Sequence, residues 1–327
     1  MHVRSILSTV LFLYAINSYA LFVDFETGMK PNCAADDCFK DNNANWQLGK
    51  RLYADFIAST NLEGELKIPH IFHHIWLGSR MPEVCVGMRE SWFTHNPGWK
   101  GILWTDRQEN YIFGEVATSV EQIQEMLQDK NIKSIVCDVK NFPLLNYRAY
   151  ASTDNYGERS DIVRYEVLYE FGGLYIDTDF RCLKSFDVLH ALCDFYAGIG
   201  YSKTYGLLNG LIGSSAANPI IKMCIEDLVG KSNPHDTSSI IGRTGPGLLT
   251  RSFFKAIRSG YSGVAIGFPP TIFYPWPNWN RKDNDPDNVQ SWIRPESYAV
   301  HYWHVSWQKK TIAHLRQCYP NQKSCDE

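Results

Sequence analysis

The sequence predicts a single α/β domain, and three features carry that expectation: a buried strand opening at Ile68, a helix stopped by Gly172-Gly173, and a short apolar strand directly after the glycines. From Ile68 to Leu77 the run IPHIFHHIWL is apolar and β-branched up to Gly78, the pattern of an inner strand that ends at a loop. Pro82 to His95 has helical character, Asn96-Pro97-Gly98 is a turn, and Ile102 to Trp104 is a second strand. Ser160 is a suitable N-cap and Asp161 suits the positive end of a helix dipole. Ile162, Val163, Val167, Leu168 and Phe171 then recur at helical spacing. Leu174-Tyr175-Ile176 forms the following strand, which must end where Asp177 and Asp179 begin, because carboxylates are not left unpaired in a core. A strand is expected next at Phe195 to Ile199, with helices near Pro219 to Leu228 and Gly247 to Ile257. Pro269 to Pro277, with Phe273, Tyr274 and Trp276 between its prolines, reads as a stiff loop.

The ends of the chain divide as residues 1–20, a signal peptide; 21–67, an N-terminal extension with a helix from Trp46 to Ile57; 68–310, the main domain; and 311–327, a C-terminal tail. Arg4, the apolar run Ile6 to Ile16 and the small residues Ser18 and Ala20 make an export signal. The expected location is therefore secreted, periplasmic or lumenal. The alternative is anchorage in a Golgi-type membrane if residues 6–23 are retained, although a bilayer-spanning helix needs roughly 20 apolar residues. Export places the nine cysteines where disulfides are permitted, and the spacings Cys33 to Cys38 and Cys318 to Cys325 suit local loops. No pair of Cys-x-x-Cys knuckles points to structural zinc. A net charge of -3 and a pI near 6.4 give no basic surplus to attract nucleic acid or anionic membranes.

The chemistry concentrates in SDIVRYEVLYEFGGLYIDTDF, Ser160 to Phe180. Asp161 and Arg164 stand three apart and share a helical face. Asp177 and Asp179 emerge at a strand end, where open α/β sheets place their ligands. Carboxylates there can hold Mn2+ or Mg2+, hard cations that commonly bind through one or two carboxylates plus phosphate oxygens, which makes a nucleotide diphosphate the natural third party. An isolated Asp-x-Asp is a weak signal; the helix, glycine stop and strand before it give it meaning.

The segments IPHIFHHIWLG, NPGWKGILWTD, SDIVRYEVLYEFGGLYIDTDFRCLKSFD and SYAVHYWHVSW, in that order, resemble the glycosyltransferases of family 32 and also look like a compact version of the catalytic domain of the large clostridial glucosylating toxins. The resemblance runs from about Ile68 to Trp307 and implies a GT-A (Rossmann-like) nucleotide-sugar transferase fold, a UDP- or GDP-linked donor, a divalent metal and retention of anomeric configuration. By that resemblance Asp161 and Arg164 contact the donor sugar and its phosphates, Asp177 holds ribose and sugar hydroxyls, and Asp179 ligates the metal. His301 is the second candidate metal ligand. Trp76 stacks on the base, Asn209 and Gly210 face the donor sugar, and Ser306 and Trp307 close over the diphosphate. The acceptor would be a glycan, lipid or protein, with specificity set by loops around residues 200–215 and 265–290.

Plainer readings compete with these. Asp161 and Arg164 can form a simple surface pair, Trp76 can be core, and His70, His73 and His74 are read as structural because neighbouring strand residues face opposite ways. A haloacid-dehalogenase-type phosphatase also places Asp-x-Asp after a strand, but it wants Thr two residues beyond the second Asp, where this chain has Arg181. A carbohydrate-binding module of the same fold without turnover is the remaining alternative.

Overall fold

The computed structural model of the chain describes residues 22–30, 44–59, 65–201, 204–229, 240–282 and 285–304. The N-terminal half runs α1 (Phe25–Met29), α2 (Ala44–Ser59), β1 (Ile71–Trp76), α3 (Glu83–His95), β2 (Lys100–Thr105), β3 (Glu115–Ala117), α4 (Val120–Gln128), β4 (Ser134–Asp138), α5 (Tyr147–Ala151) and α6 (Tyr156–Phe171). Then follow β5 (Gly173–Ile176), β6 (Phe180–Cys182), α7 (Asp187–Leu192), β7 (Phe195–Ile199), β8 (Leu207–Ser214), α8 (Pro219–Val229), α9 (Ile240–Arg243), α10 (Pro246–Arg258), β9 (Ala265–Phe268), α11 (Pro270–Phe273), α12 (Pro286–Trp292) and β10 (Ala299–His301).

Eight strands form one sheet in the order β3-β4-β2-β1-β5-β8-β7-β9, and β6 pairs with β10 in a separate ribbon. The pairings are parallel except at β8, which runs antiparallel to both β5 and β7. Helices cover the sheet: α6 packs on β1 and β5, α10 on β8, and α2 on β9. This is the mostly parallel, Rossmann-like α/β arrangement that the sequence predicts. Strands β5 and β7 are buried along their whole length, as inner strands covered on both faces must be.

The element that matters most for the site starts earlier than expected. Helix α6 is capped by Asn155, whose Oδ1 accepts from Glu158 N at 3.1 Å, so Ser160 and Asp161 lie inside the helix and Asp161 gains nothing from a helix dipole. Asn155 with Glu158 three residues later is a capping signal of the same kind as the one read at Ser160, and it lies further upstream. The stop is as expected. Gly172 and Gly173 have φ of 63° and 97°, and a Cβ would lie 2.6 Å from Ala216 N at the first and 2.5 Å from Ile71 O at the second. Only glycine allows both the left-handed turn and this close approach of backbones, and the turn brings β5 straight back beneath the helix.

Other boundaries shift as well. Strand β1 is shorter than the apolar run that announces it. The segment 269–277 includes the single turn α11, with Pro270 at its start. Much of the span 200–215 is not loop but the long strand β8, and β9 takes the beginning of 265–290. The N-terminal extension shares the main core: Phe22 and Phe56 sit 5.6 and 5.7 Å, ring to ring, from Phe268 of β9. Burying a large apolar side chain is worth roughly 1.5–3 kcal/mol, so Phe22, Phe25 and Phe56 bind this segment firmly to the domain. Among the described residues Cys85, Cys137, Cys182, Cys193 and Cys224 are free and buried, and the two terminal cysteine pairs lie outside those residues, as does the proposed signal peptide.

His73 and His74 are structural, as expected. Trp104 Nε1 donates to His73 Nδ1 at 3.2 Å, which leaves His73 Nε2 to donate to Gly172 O at 2.8 Å. His74 Nδ1 meets Ile176 O at 2.8 Å, so these two rings brace the glycine stop and the end of β5. Burial lowers their pKa values to about 4 and about 3, and burial also holds His190 well below its ordinary value. These groups resist protonation only when folded. Their contribution is intact above the unfolded value near 6.5 and is lost as pH falls below it, by about 1.4 kcal/mol per unit for each histidine. Urea midpoints should therefore drop steeply between about pH 7.5 and 5.5, equivalent to about 4 kcal/mol at the lower pH for the three together; a flat profile would contradict neutral, buried imidazoles.

Candidate active site

Three elements converge at the C-terminal end of β5: helix α6, which carries Asp161 and Arg164; the turn that leaves β5, which carries Asp177 and Asp179; and the β6–β10 ribbon, which brings His301. Arg164 stands at the centre. Its Nη2 lies 2.9 Å from Asp161 Oδ1, its Nη1 donates to Asn209 O at 2.5 Å and lies 3.5 Å from Asp177 Oδ1, and Ser160 receives its remaining N–H groups at 3.4 Å. The guanidinium also sits 4.3 Å above the Tyr175 ring. Burial disfavours its charge, but Tyr175, Asp161 and Asp177 outweigh that and raise its pKa further above the ordinary arginine value.

Asp161 is held by more than Arg164. Asn209 Nδ2 donates to its Oδ1 and Thr244 Oγ1 to its Oδ2, both at 2.8 Å. With Asp161 and Arg164 only 6% and 4% exposed, the surface-pair reading fails. Burial raises the Asp161 carboxyl pKa, and Arg164, Thr244 and Asn209 hold the rise back. Asp177 accepts from Tyr175 OH at 2.7 Å, and its own N–H donates to Gly210 O at 2.7 Å, which ties the triplet to β8. Its pKa is raised, with burial as the leading cause, but 32% of the side chain is still accessible, so solvent tempers the effect. The missing side chain of Gly210 leaves this carboxylate its place: a Cβ would stand 2.8 Å from Asp177 Oδ2 and push it aside.

Asp179 and His301 meet because the ribbon pairs His301 with Phe180. His301 Nε2 lies 2.8 Å from Asp179 Oδ1, His304 N donates to Oδ2 at 2.6 Å, and Tyr302 N donates to the Asp179 carbonyl at 3.0 Å. The imidazole lies flat against Phe180, at 4.3 Å and 13°, with Trp303 on it at 4.2 Å. Burial alone would raise the Asp179 pKa, but His301 and the His304 N–H pull it below the usual carboxylate value. Trp303 has a φ of 56°, an outlier for a bulky residue, and its indole N–H donates to Trp276 O at 2.7 Å.

One ligand atom from each of Asp177, Asp179 and His301 lies within 4.8 Å of the other two. Two hard carboxylate oxygens and an imidazole nitrogen, packed in rings on one side and accessible at Asp177, fit a divalent cation. Trp76 ends β1 on the same sheet edge, partly buried against Met81, Cys85 and Leu103, and its Nε1 has no partner among the described residues. Asn209 and Gly210 lie in β8 rather than in a loop, with Asn209 clamped between Asp161 and Arg164. Ser306 and Trp307 lie outside the described residues.

Three participants were not singled out from the sequence. Tyr175 was legible, because strand alternation puts it on the same face as Asp177. Thr244 reaches Asp161 from 83 positions away, and nothing local signals it. His304 acts through its backbone, which no residue type reveals.

A protein-family model described as "Glycosyltransferase sugar-binding region containing DXD motif" matches residues 82–195. The chain is 33% identical over 159 residues to the lactosylceramide 4-alpha-galactosyltransferase of Mus musculus, a match covering 46% of this chain and 41% of that protein. To the protein of the same name from Pongo pygmaeus it is 32% identical over 160 residues, covering 46% and 68%. Inositol phosphoceramide mannosyltransferase 3 of Schizosaccharomyces pombe is 28% identical over 161 residues, covering 49% and 37%. The chain thus spans about two fifths of the length of the first of these relatives. Among solved structures, PaToxG Glycosyltransferase superposes with a TM-score of 0.48 and 19% identity, over 66% of this chain and 80% of that one.

Proposed function

The chain belongs to the glycosyltransferases whose sugar-binding region contains a DXD motif, and we propose that it is a metal-dependent retaining transferase that moves a hexose or N-acetylhexosamine from a nucleotide diphosphate sugar to a glycan, lipid or protein acceptor. The observation that carries this reading is the meeting of Asp177, Asp179 and His301 beside the buried Asp161–Arg164 pair. Relatives named as a galactosyltransferase and a mannosyltransferase support a hexosyl donor and, by their names, a sphingolipid among the acceptor candidates. The export signal read at residues 1–20 supports a secretory route. Among the described residues no helix is long and apolar enough to cross a membrane.

As the bond from the anomeric carbon to the diphosphate breaks, negative charge gathers on the leaving group and positive charge on the sugar. Asp179 and His301, with Asp177, would hold Mn2+ or Mg2+, which when bound supplies Lewis-acid stabilisation of the departing diphosphate without proton transfer. Asp161 and Asn209 present fixed polar groups toward the donor sugar. Arg164 spends its planar fork on protein acceptors, so its work is to hold Asp161, Asp177 and Asn209 in register while its charge offsets theirs. Asp161 already accepts from Arg164, Asn209 and Thr244, which disfavours it as a covalent nucleophile and supports same-face attack by the acceptor hydroxyl.

A screen of UDP- and GDP-sugars for hydrolysis and thermal shift tests the reading. Excess chelator should silence turnover and added manganese or magnesium should restore it; full activity in chelator would overturn the cation's role. Gly210→Ala is expected to push the Asp177 carboxylate aside by about half an ångström, since a Cβ there would stand 2.8 Å from its Oδ2, and to lower turnover about threefold to tenfold, less than the roughly hundredfold cost of a 1 Å displacement. Steady-state kinetics with a folded variant check this, and unchanged turnover would mean that the Asp177 position is not critical.

A further inference from the structure

A concavity lies where β7 ends and β8 begins, beside α9 and α10. It encloses about 510 Å3 and is lined by Tyr201, Leu208, Arg251, Asn278, Trp279 and Trp303, together with the start of α10. That volume is within the roughly 300–1,000 Å3 typical of small-molecule sites. Three of its walls are continuous with the reacting site. Leu208 precedes Asn209, which holds Asp161; Pro246 and Gly247 follow Thr244, which also holds Asp161; and the Trp303 ring that lines the cavity rests on His301.

We propose that this cavity is the acceptor subsite and that it takes the sugar end of a glycoside, with Tyr201 and Trp279 as its stacking platform. The proposal rests on the transferase reading above. The two rings stand 5.4 Å apart at 56°, and Trp279 is 49% exposed, so both line the cavity with a face open to a ligand. Sugars offer an apolar face of C–H groups and a rim of hydroxyls. An aromatic face with polar groups beside it matches both. Asn278 accepts from Arg281 through its Oδ1 at 2.7 Å, which leaves its amide N–H groups for a hydroxyl, and Arg251 adds further donors. An alkyl chain would be better served by an aliphatic tunnel without these donors.

The position also suits the same-face attack, because the Trp303 wall of the cavity adjoins His301 and so leads to the side of the site where Asp179 and His301 would serve the leaving group.

The test uses the full chain with methyl β-lactoside and methyl α-mannoside as probes. Tryptophan fluorescence is titrated with each, with and without UDP and manganese, alongside donor hydrolysis and transfer. A saturable response to at least one glycoside is expected, with its apparent Kd raised about tenfold by Trp279→Ala and by Tyr201→Ala, as loss of a stacking ring implies. The ratio of transfer to donor hydrolysis should fall by a similar factor, with the thermal midpoint held. No saturable response in the unmodified protein to either glycoside, or Kd values unmoved by both substitutions, overturns the subsite. Failure of donor hydrolysis in the unmodified protein instead overturns the transferase reading, and glycoside binding is scored independently of it.

Discussion

Asp179→Asn should lower metal-dependent turnover by about a thousandfold or more, because a cation that loses its carboxylate ligand no longer offsets leaving-group charge worth several kcal/mol. The substitution keeps the shape of the side chain, and an amide oxygen can still accept from His304 N, the partner now at 2.6 Å. Stability should fall by only about 1–3 kcal/mol, the usual cost of weakening one buried polar contact. Donor hydrolysis at saturating manganese and a urea titration separate the two effects. The thermal shift produced by manganese in the unmodified protein should vanish in the variant. A well-folded variant with ordinary turnover would remove Asp179 from the reaction.

Arg164→Lys is expected to act on both structure and turnover. A lysine ammonium keeps the charge but cannot reach Asp161, Asp177 and Asn209 together as the planar fork does. Leaving Asp161 inadequately compensated at 6% exposure should cost about 3 kcal/mol, near the lower end for a broken buried pair. Turnover should drop about a hundredfold as the three groups lose register. Because the fork holds donor-facing groups rather than phosphate, most of the loss should appear in kcat, with a smaller change in the donor KM. Normal kinetics with normal stability would leave Arg164 without the organising role assigned to it.

The parts of this site that could be read in advance are those set by local geometry. The i, i+3 spacing of Asp161 and Arg164 survives as a 2.9 Å ion pair, and Gly172-Gly173 stops the helix as its composition requires. The burial of that pair could not be read, because it depends on β8 and on the segment before α10 closing over it. Strand β8 itself was hidden: LLNGLIGS contains two glycines, which weaken any strand signal. One of them is Gly210, whose missing side chain leaves room for the Asp177 carboxylate, so the residue that obscured the strand also makes space in the site. The cap at Asn155 was missed because two acceptable caps lie within one and a half turns, and packing along α6 selects the earlier one. His301 was legible only through its motif, since its partner Phe180 is brought alongside by an antiparallel pairing across more than a hundred residues.

Trp303 holds a backbone twist that tryptophan resists, anchored at its indole by Trp276 and pressed against His301, while the next residue delivers its amide to Asp179. One rotation thus has two addresses: turned one way it shapes the chamber where a glycoside would rest, and by the same turn it aims the amide that steadies the acid. A substitution at Trp303 that reshapes that cavity would therefore also disturb the amide that Asp179 accepts.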